Sequence, residues 1–398
     1  MTIPAGSRPD DEAPAVPADA GTGPDDVRVP APGDPQRSRL PAGAHAALTE
    51  LMARHHVPGM SVAVTDADGL LCATGLGFRD LAEGLRATST TSYQWFSMSK
   101  IVTATAVLRL ADEGRLDLDS PVSTYVPGCV GRQGTPPPRV RQLLSHTAGL
   151  GNPLPIRWVR PAERVRSDDR PTVRRLLERH GAPRRTPGGP ARYSNVGYLV
   201  LAEVVEQVTG EPFAAHVGKA VLEPAGMRDT GFDLSPSAEA ATGYVRAPRA
   251  MTPVYRAVLP AGIVGARHGE QLSLRPFRAI GAGYGGLMGP APDAARLLRL
   301  HLRDGEMDGA RVLQAQTAQA MRRISSPGRP FDVGLGWFRP AADRDTRPAF
   351  VEHWGTGGGF RNVMRLYPEL GLGIVLMTNG TRPFDHDAAM RTLQRAFR

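Results

Sequence analysis

The chain has 398 residues, of which 41% are hydrophobic, so it can bury a large core and fits one two-lobed domain better than two independent domains. It has no run of eighteen apolar residues, which excludes a membrane-spanning helix and gives no reason to expect a membrane partner. The net charge of +9 would suit a nucleic-acid-binding protein. However, the chain has neither zinc-finger spacing nor a basic segment interleaved with aromatic residues, so no nucleic-acid partner is expected.

Residues 1–42 are predicted to form a disordered arm. They are rich in proline, alanine and aspartate, poor in aliphatic residues, and show neither a helical nor a strand period. They also lack the basic and apolar segments of a secretion signal, from which we expect a cytoplasmic protein. Residues 43–398 are predicted to form the folded domain.

The two cysteines, Cys72 and Cys129, form no Cys-x-x-Cys pair. Isolated cysteines of this kind are typically buried and do not form a redox or metal site. The chain also has no His-Glu-x-x-His or comparable cluster. Neither a metal nor another cofactor is therefore expected.

Residues 97–100 have the form Ser-x-x-Lys and are the first candidate for catalysis. Only two lysines, Lys100 and Lys219, occur among the 48 lysine and arginine residues. Arginine stays protonated, whereas a desolvated lysine can lose its proton, so a lysine at position 100 indicates a need for a titratable amine. Apolar residues at helical spacing follow, which places Ser97 and Lys100 on one face of a buried helix. Such a pair can activate the serine hydroxyl.

An arginine-rich stretch covers residues 151–192, with eleven arginines against four acidic residues, a net charge of +7. Two interpretations stay open: a solvated basic helix face, or a site for an acidic carrier protein or a phosphate-bearing substrate. Because the stretch ends next to the second candidate motif, we expect it to overhang the mouth of the site.

That second motif is Tyr193-Ser194-Asn195, which follows a proline- and glycine-rich turn and precedes a helical apolar run. The phenol of Tyr193 is thus predicted at a helix start, where it can face a cleft. A phenol held near an ammonium group has a lowered pKa and can serve as a general base.

The third candidate segment, residues 353–360, begins His-Trp-Gly-Thr, continues with three glycines, and lies between two strand-like runs. A glycine-rich strand edge allows backbone N–H groups to approach a ligand closely.

Taken in order, Ser-x-x-Lys, Tyr-x-Asn and His-x-Gly resemble the three motifs of the penicillin-recognising serine hydrolases. This group includes class C β-lactamases, D-alanyl-D-alanine peptidases, and esterases and acyltransferases of the same fold. The resemblance covers nearly all of residues 43–398 and includes residues 57–62, 143–150, 222–227 and 334–337. These motifs are specific to the superfamily and not to a substrate.

The resemblance implies an α+β fold with an antiparallel sheet flanked by helices, built from approximately residues 43–95 and 330–398. A mostly helical lobe would come from approximately residues 96–329, with the active site between the two lobes. Strand-like alternation at 60–65 and 373–377, and helical runs at 97–113 and 196–209, agree with this arrangement.

The resemblance also implies roles for individual residues. Ser97 would be the nucleophile, and Lys100 or Tyr193 would take its proton. Asn195 would hold Lys100 and the carbonyl side of the substrate. The remaining predicted substrate-binding and oxyanion residues are His353, Trp354, Gly355 and Thr356. His353 would hydrogen-bond Tyr193 and face the substrate. The N–H of Thr356 would join that of Ser97 in an oxyanion hole. His146 is interpreted as structural.

The function predicted from these residues is serine-dependent acyl transfer through an acyl-enzyme, with hydrolysis of a small-molecule ester or amide favoured. The alternative is a biosynthetic acyltransferase that passes the acyl group to a small alcohol or amine. A β-lactamase, a D-alanyl-D-alanine carboxypeptidase and a non-catalytic binding protein are less favoured. His353 stands where lactamases and penicillin-binding proteins usually carry lysine, which argues against a dedicated lactamase.

Overall fold

The computed structural model describes residues 39–129, 131, 135–156, 158–162, 169–233, 238–381 and 384–398. Nearly all of the arm predicted for residues 1–42 lies outside these ranges, as do Arg157 and residues 163–168 of the arginine-rich stretch. Leu40, which the prediction assigned to the arm, is buried in an apolar cluster of the domain. In the described part of the chain no helix is both long and apolar enough to cross a bilayer.

The described helices begin and end as follows: α1 (Ala42–His55), α2 (Ser99–Asp112), α3 (Val140–Leu144), α4 (Arg170–His180), α5 (Asn195–Thr209), α6 (Phe213–Val217), α7 (Thr252–Val258), α8 (Ala291–Leu302), α9 (Ala315–Arg322) and α10 (His386–Ala396). The helical runs predicted around Ser97 and after Tyr193 correspond to α2 and α5 and are confirmed. A 3-10 turn over Phe96–Met98 leads into α2.

The described strands are β1 (Gly59–Thr65), β2 (Leu70–Asp80), β3 (Leu85–Arg86), β4 (Ser92–Gln94), β5 (Val159–Pro161), β6 (Gly243–Arg246), β7 (Val264–His268), β8 (Gln271–Leu274), β9 (Phe277–Ala279), β10 (Met288–Pro290), β11 (Glu306–Met307), β12 (Ala310–Arg311), β13 (Phe331–Val333), β14 (Phe338–Pro340), β15 (Val351–Gly357), β16 (Phe360–Tyr367) and β17 (Leu372–Thr378).

The large sheet has the strand order β13-β14-β15-β16-β17-β1-β2-β3, with antiparallel neighbours throughout. Every residue of β1 and β17 is buried, because helices cover both faces at the centre of the sheet. Strands in such a position lose the alternation of polar and apolar residues that a half-exposed sheet would show.

Helices α1 and α10 pack together over one face, where Leu48, Val62, Ile374 and Met390 share an apolar cluster. Helix α8 covers the other face against β1 and β17. Because Gly373 has no side chain, Leu298 of α8 can approach β17 so closely that an added Cβ would lie 2.9 Å from its Cβ. The sequence assigned α8 to the helical lobe, whereas it packs on the sheet.

Helix α2 is the centre of the helical part, with most of its residues fully buried, and it packs against α5 and α6. Its first turn lies beside β15, since the 3-10 turn before it packs against that strand. The candidate residues of the three motifs therefore meet where the start of α2, the start of α5 and β15 come together. The predicted α+β architecture, with an antiparallel sheet and flanking helices, is confirmed.

Candidate active site

Ser97 lies in the tight turn between β4 and α2 and is partly exposed. Trp95 anchors the turn, because it is fully buried and its Nε1 donates a hydrogen bond to the carbonyl oxygen of Gly289, 3.1 Å away. Phe96 has a φ of 47°, a left-handed conformation that is strained for a bulky residue. This strained residue directly precedes Ser97.

Lys100 is fully buried one turn along α2. Its Nζ lies 3.1 Å from Ser97 Oγ, 2.8 Å from Asn195 Oδ1 and 2.7 Å from the carbonyl oxygen of Tyr284. Burial lowers the pKa of Lys100 well below its usual range, because the charged amine loses its hydration. The buried, titratable lysine predicted from the sequence is therefore found next to the candidate nucleophile.

Three tyrosine rings surround the Lys100 amine: the ring centroids of Tyr193, Tyr198 and Tyr284 lie 4.8, 5.4 and 5.6 Å from Nζ. Ring faces attract a cation, but they do not replace the hydration shell that burial removes. The amine is thus enclosed by three aromatic rings and three oxygen neighbours.

Tyr193 precedes α5, whose N-cap is Ser194, with Ser194 Oγ accepting a hydrogen bond from the N–H of Gly197. Burial raises the pKa of Tyr193, and a side-chain hydrogen bond with Ser97 opposes this rise. The lowered phenol pKa expected from the sequence is therefore wrong. The physical reason is that desolvation of a phenolate outweighs its attraction to an amine whose own charged form is disfavoured.

The loop over residues 150–152 supports the start of α5. Asn152 Oδ1 accepts a hydrogen bond from the N–H of Asn195 at 3.0 Å, and Ser194 Oγ donates one to the carbonyl oxygen of Gly151 at 2.9 Å. Asn152 and the carbonyl of Tyr284 were not among the residues predicted from the sequence. A backbone carbonyl carries no residue signature, and a lone asparagine after a glycine resembles any loop residue.

His353 lies on β15 and is fully buried. Its Nδ1–H donates to the carbonyl oxygen of Trp354 at 2.9 Å, and its Nε2 has no hydrogen-bond partner in the described part of the chain. Since Nδ1 bonds Trp354 and Nε2 has no partner in these ranges, the predicted hydrogen bond between His353 and Tyr193 is not formed; the two ring centroids are 6.3 Å apart. Burial lowers the pKa of His353 well below its usual range, which keeps the ring neutral.

The Trp354 side chain points to the opposite face of β15 from His353, as strand alternation requires. Its Nε1 donates to Glu352 Oε1 at 2.7 Å, and its ring packs edge-on against His386 of α10 at 4.9 Å. The predicted contribution of the Trp354 side chain to substrate binding is corrected accordingly: it lies behind the sheet. Its indole supports the strand from the side away from Ser97.

Gly355 and Thr356 follow on the same strand. An added Cβ at Gly355 would overlap the carbonyl oxygen of Trp95, so β15 lies directly against the turn that carries Ser97. Strand β14 pairs with β15 only through Phe338 and Glu352. The edge of β15 at Thr356 that faces away from β16 therefore has no strand partner in the described ranges, and Thr356 is exposed.

The described arginines of the arginine-rich stretch lie on β5, on α4 and in the segment after α4. Arg174 is exposed on α4 and pairs with Glu178 at 3.1 Å. The Arg184 guanidinium group approaches Gly151, where an added Cβ would lie 3.1 Å from its Nε. The stretch therefore borders the loop that supports Asn195. Within the described ranges, His, Cys, Asp and Glu side chains form no group of three that could hold a metal ion.

A family model described as beta-lactamase matches residues 44–397. The chain is 30% identical to Protein Rv1367c of Mycobacterium tuberculosis over 326 residues, which cover 74% of this chain and 77% of that protein. It is 29% identical to the esterase EstB of Burkholderia gladioli over 367 residues, which cover 85% of this chain and 90% of EstB.

Among solved structures, the fold is similar to that of the octameric penicillin-binding protein homologue from Pyrococcus abyssi. The TM-score is 0.71 at 22% sequence identity, and the match covers 89% of this chain and 76% of that one. At this identity the likeness concerns the fold alone.

Proposed function

The chain belongs to the beta-lactamase family, whose members include serine hydrolases, and from this premise we propose that it transfers acyl groups through an acyl-enzyme on Ser97. Hydrolysis of an ester or amide is the proposed overall reaction. The observation that carries the proposal is the set of three oxygen atoms around Lys100 Nζ, one of which is the Ser97 hydroxyl.

These three neighbours fit a neutral amine. Asn195 Oδ1 and the carbonyl oxygen of Tyr284 can only accept hydrogen bonds, so they take the two N–H groups of a neutral Lys100. Ser97 Oγ is the third neighbour, 3.1 Å from Nζ. In the proposed neutral state, the lone pair of Nζ accepts the O–H of Ser97. Since burial already disfavours the ammonium form, Lys100 is the proposed general base that removes the Ser97 proton.

Tyr193 keeps its proton in this scheme, because burial raises its pKa. Its O–H donates to Ser97 Oγ and then protonates the leaving group. As Ser97 Oγ bonds to the substrate carbonyl carbon, the serine proton moves to Lys100. The departing oxygen or nitrogen takes a proton from Tyr193, and Lys100 then passes its extra proton to Tyr193. Water then attacks the acyl-enzyme and gives a proton to Lys100. Ser97 Oγ leaves with a proton from Tyr193, and Lys100 returns its extra proton to Tyr193, so the free enzyme is restored.

The negative charge that develops on the carbonyl oxygen needs hydrogen-bond donors. The proposed donors are the N–H groups of Ser97 and Thr356, and the open edge of β15 beside the Ser97 turn supports this assignment. Each donor in such a hole typically contributes on the order of 3 kcal/mol to transition-state binding.

The proposed substrates are neutral esters. A lactam antibiotic carries a carboxylate beside its scissile bond, and the neutral His353 offers that carboxylate no positive charge. Arg361 does not supply this positive charge, because Arg361 borders a space shared with Trp354 and His386 on the far side of β15. The similarity to an enzyme named as an esterase supports the same choice.

A side-by-side assay of p-nitrophenyl butyrate and a chromogenic cephalosporin at pH 7.5 tests the proposal. We expect kcat/KM for the ester to exceed that for the cephalosporin at least about a hundredfold, a difference of about 3 kcal/mol in transition-state binding. Ser97→Ala should abolish turnover of the ester. Comparable efficiencies on both substrates would contradict the ester proposal.

Transfer to an alcohol or amine uses the same acyl-enzyme and differs only in the acceptor. Product analysis with and without a small alcohol distinguishes hydrolysis from transfer. The acidic carrier or phosphate-bearing partner predicted from the arginine-rich stretch stays a proposal. The position of Arg184 beside Gly151 supports it.

A further inference from the structure

His146 contacts Tyr193 and the residues on either side of it. Its carbonyl oxygen accepts a hydrogen bond from the N–H of Arg192 at 2.8 Å, and its Nδ1 accepts one from the N–H of Ser194 at 3.2 Å. Between these two contacts, its ring lies against the Tyr193 ring, with centroids 4.6 Å apart. One residue thus holds the backbone on both sides of Tyr193 and one face of its phenol ring.

His146 is itself held in place. It follows α3 with a φ of 57°, and its N–H donates to the carbonyl oxygen of Leu143 at 3.2 Å. The other side of its ring meets Tyr198, with centroids 5.2 Å apart, and the Tyr198 hydroxyl donates to the carbonyl oxygen of Leu144 at 3.1 Å. The imidazole is therefore confined between two of the tyrosines that enclose Lys100.

The His146 imidazole is neutral, and this protonation state fits its contacts with the Tyr193 segment. Because Nδ1 accepts the Ser194 N–H, the ring proton of the neutral imidazole is on Nε2. Burial lowers the pKa of His146 to about 3, so the ring stays neutral at all pH values where the enzyme would work. A neutral ring can accept the Ser194 hydrogen bond and adds no charge beside Lys100.

We propose that His146 is a positioning residue that fixes the Tyr193 phenol and the start of α5, and with it the Asn195 amide that binds Lys100. This inference rests on the proposed roles of Ser97, Lys100 and Tyr193. His146 acts through those residues and does not touch the substrate.

Three substitutions separate its contacts. His146→Asn keeps an oxygen acceptor for the Ser194 N–H, and asparagine tolerates the left-handed backbone, so kcat should stay within about tenfold of the parent. His146→Phe keeps a ring against Tyr193 but removes the acceptor. His146→Ala removes both. For the last two, kcat should fall at least about a hundredfold, with KM changed less than about threefold.

The alkaline limb of the kcat/KM profile gives a readout that loss of stability alone would not move. Without the imidazole, Tyr193 is better solvated, so its raised pKa should fall towards the ordinary tyrosine value of about 10. The alkaline decline should therefore begin at lower pH in His146→Ala than in the parent.

His301 provides a matched control, because it is also a fully buried, neutral histidine packed against an aromatic ring, that of Trp337, and lies outside the site. His301→Ala should lower Tm without changing kcat or the pH profile. If His146→Ala behaves like His301→Ala, the positioning role is overturned while the proposed function stands, provided that Ser97→Ala is inactive. An active Ser97→Ala would instead overturn the proposed function.

Discussion

At the scale of single residues, the structure explains why a lysine persists at position 100 in a chain that otherwise uses arginine almost everywhere. Lys100 Nζ fits among three oxygen atoms and three tyrosine rings with no exposure to solvent. A guanidinium group is larger, presents five donors, and does not lose its proton. The site can therefore use a neutral amine in a way that no arginine could supply.

Lys100→Arg should reduce kcat/KM at least about a hundredfold, because arginine cannot accept the Ser97 proton near neutral pH. Lys219→Arg is the matched control, since Lys219 is the other lysine of the chain and forms an exposed pair with Glu211. It should leave kcat/KM within about twofold. Near-normal turnover by Lys100→Arg would show that position 100 needs only a positive charge.

The proposed roles of Lys100 and Tyr193 predict how the activity of the parent enzyme changes with pH. Lys100 must be neutral to act as a base, so kcat/KM should rise with pH through its lowered pKa, well below the ordinary lysine range. Tyr193 must be protonated, and its raised pKa keeps it so up to at least about pH 10. A rate that fell between pH 7 and pH 9 would contradict these two roles.

The sequence predicted the candidate residues better than their contacts. Ser97, Lys100, Tyr193 and Asn195 do come together, because their motifs specify residue type and local geometry. The predicted partner of His353 was wrong: its Nδ1 bonds a carbonyl of its own strand, and its Nε2 bonds no residue of the described ranges. Such a contact depends on the local path of β15, which residue types do not record.

At the scale of secondary-structure elements, the glycines of β15 and the turn after it have close neighbours within the protein. They were predicted to let a ligand approach the strand, and they also allow close packing: an added Cβ would meet Trp95 at Gly355 and would overlap the Phe277 ring at Gly358. An added Cβ would lie 2.6 Å from the Phe96 ring at Gly357 and 3.0 Å from it at Gly358. The glycines thus let β15 and the Ser97 turn pack together, which brings the proposed oxyanion donors side by side.

Gly355→Ala should accordingly lower both stability and activity, because the new methyl group would overlap the backbone of Trp95. Overpacking of this kind typically costs about 1–3 kcal/mol, and we expect kcat to fall at least about tenfold as β15 moves away from Ser97. Gly69→Ala is the control, since nothing lies within 4 Å of its added Cβ. Thermal unfolding and ester turnover of both variants provide the measurement.

If Gly355→Ala matched Gly69→Ala in Tm and kcat, close packing of β15 on the Ser97 turn would not matter for the reaction.

The assignment of α8 shows a limit of sequence patterns. Its apolar face predicts a buried helix but carries no information about which lobe it covers. The cue was in Gly373 on β17, nearly eighty residues away, where the missing side chain makes room for Leu298.

At the scale of the whole molecule, one apolar cluster joins the two parts of the fold. It includes Val102 of α2 and Val200 of α5 as well as Met364 and Val375 of the sheet. The candidate site therefore lies on a continuous core, and Ser97, Tyr193 and β15 are held by shared packing. The fold could be predicted because the motifs identify the family, whereas this shared core depends on long-range packing that no single segment encodes.

The central claim is that Ser97 is the activated nucleophile, and covalent labelling with a fluorophosphonate followed by peptide mapping tests it most directly. Ser99 and Ser194 are internal controls, because both hydroxyls are buried and already engaged: Ser99 Oγ accepts the Leu287 N–H, and Ser194 Oγ caps α5. We expect one adduct per chain, on Ser97, and none in Ser97→Ala. A label on Ser99 or Ser194, or an unlabelled protein that still hydrolyses p-nitrophenyl butyrate, would contradict the account.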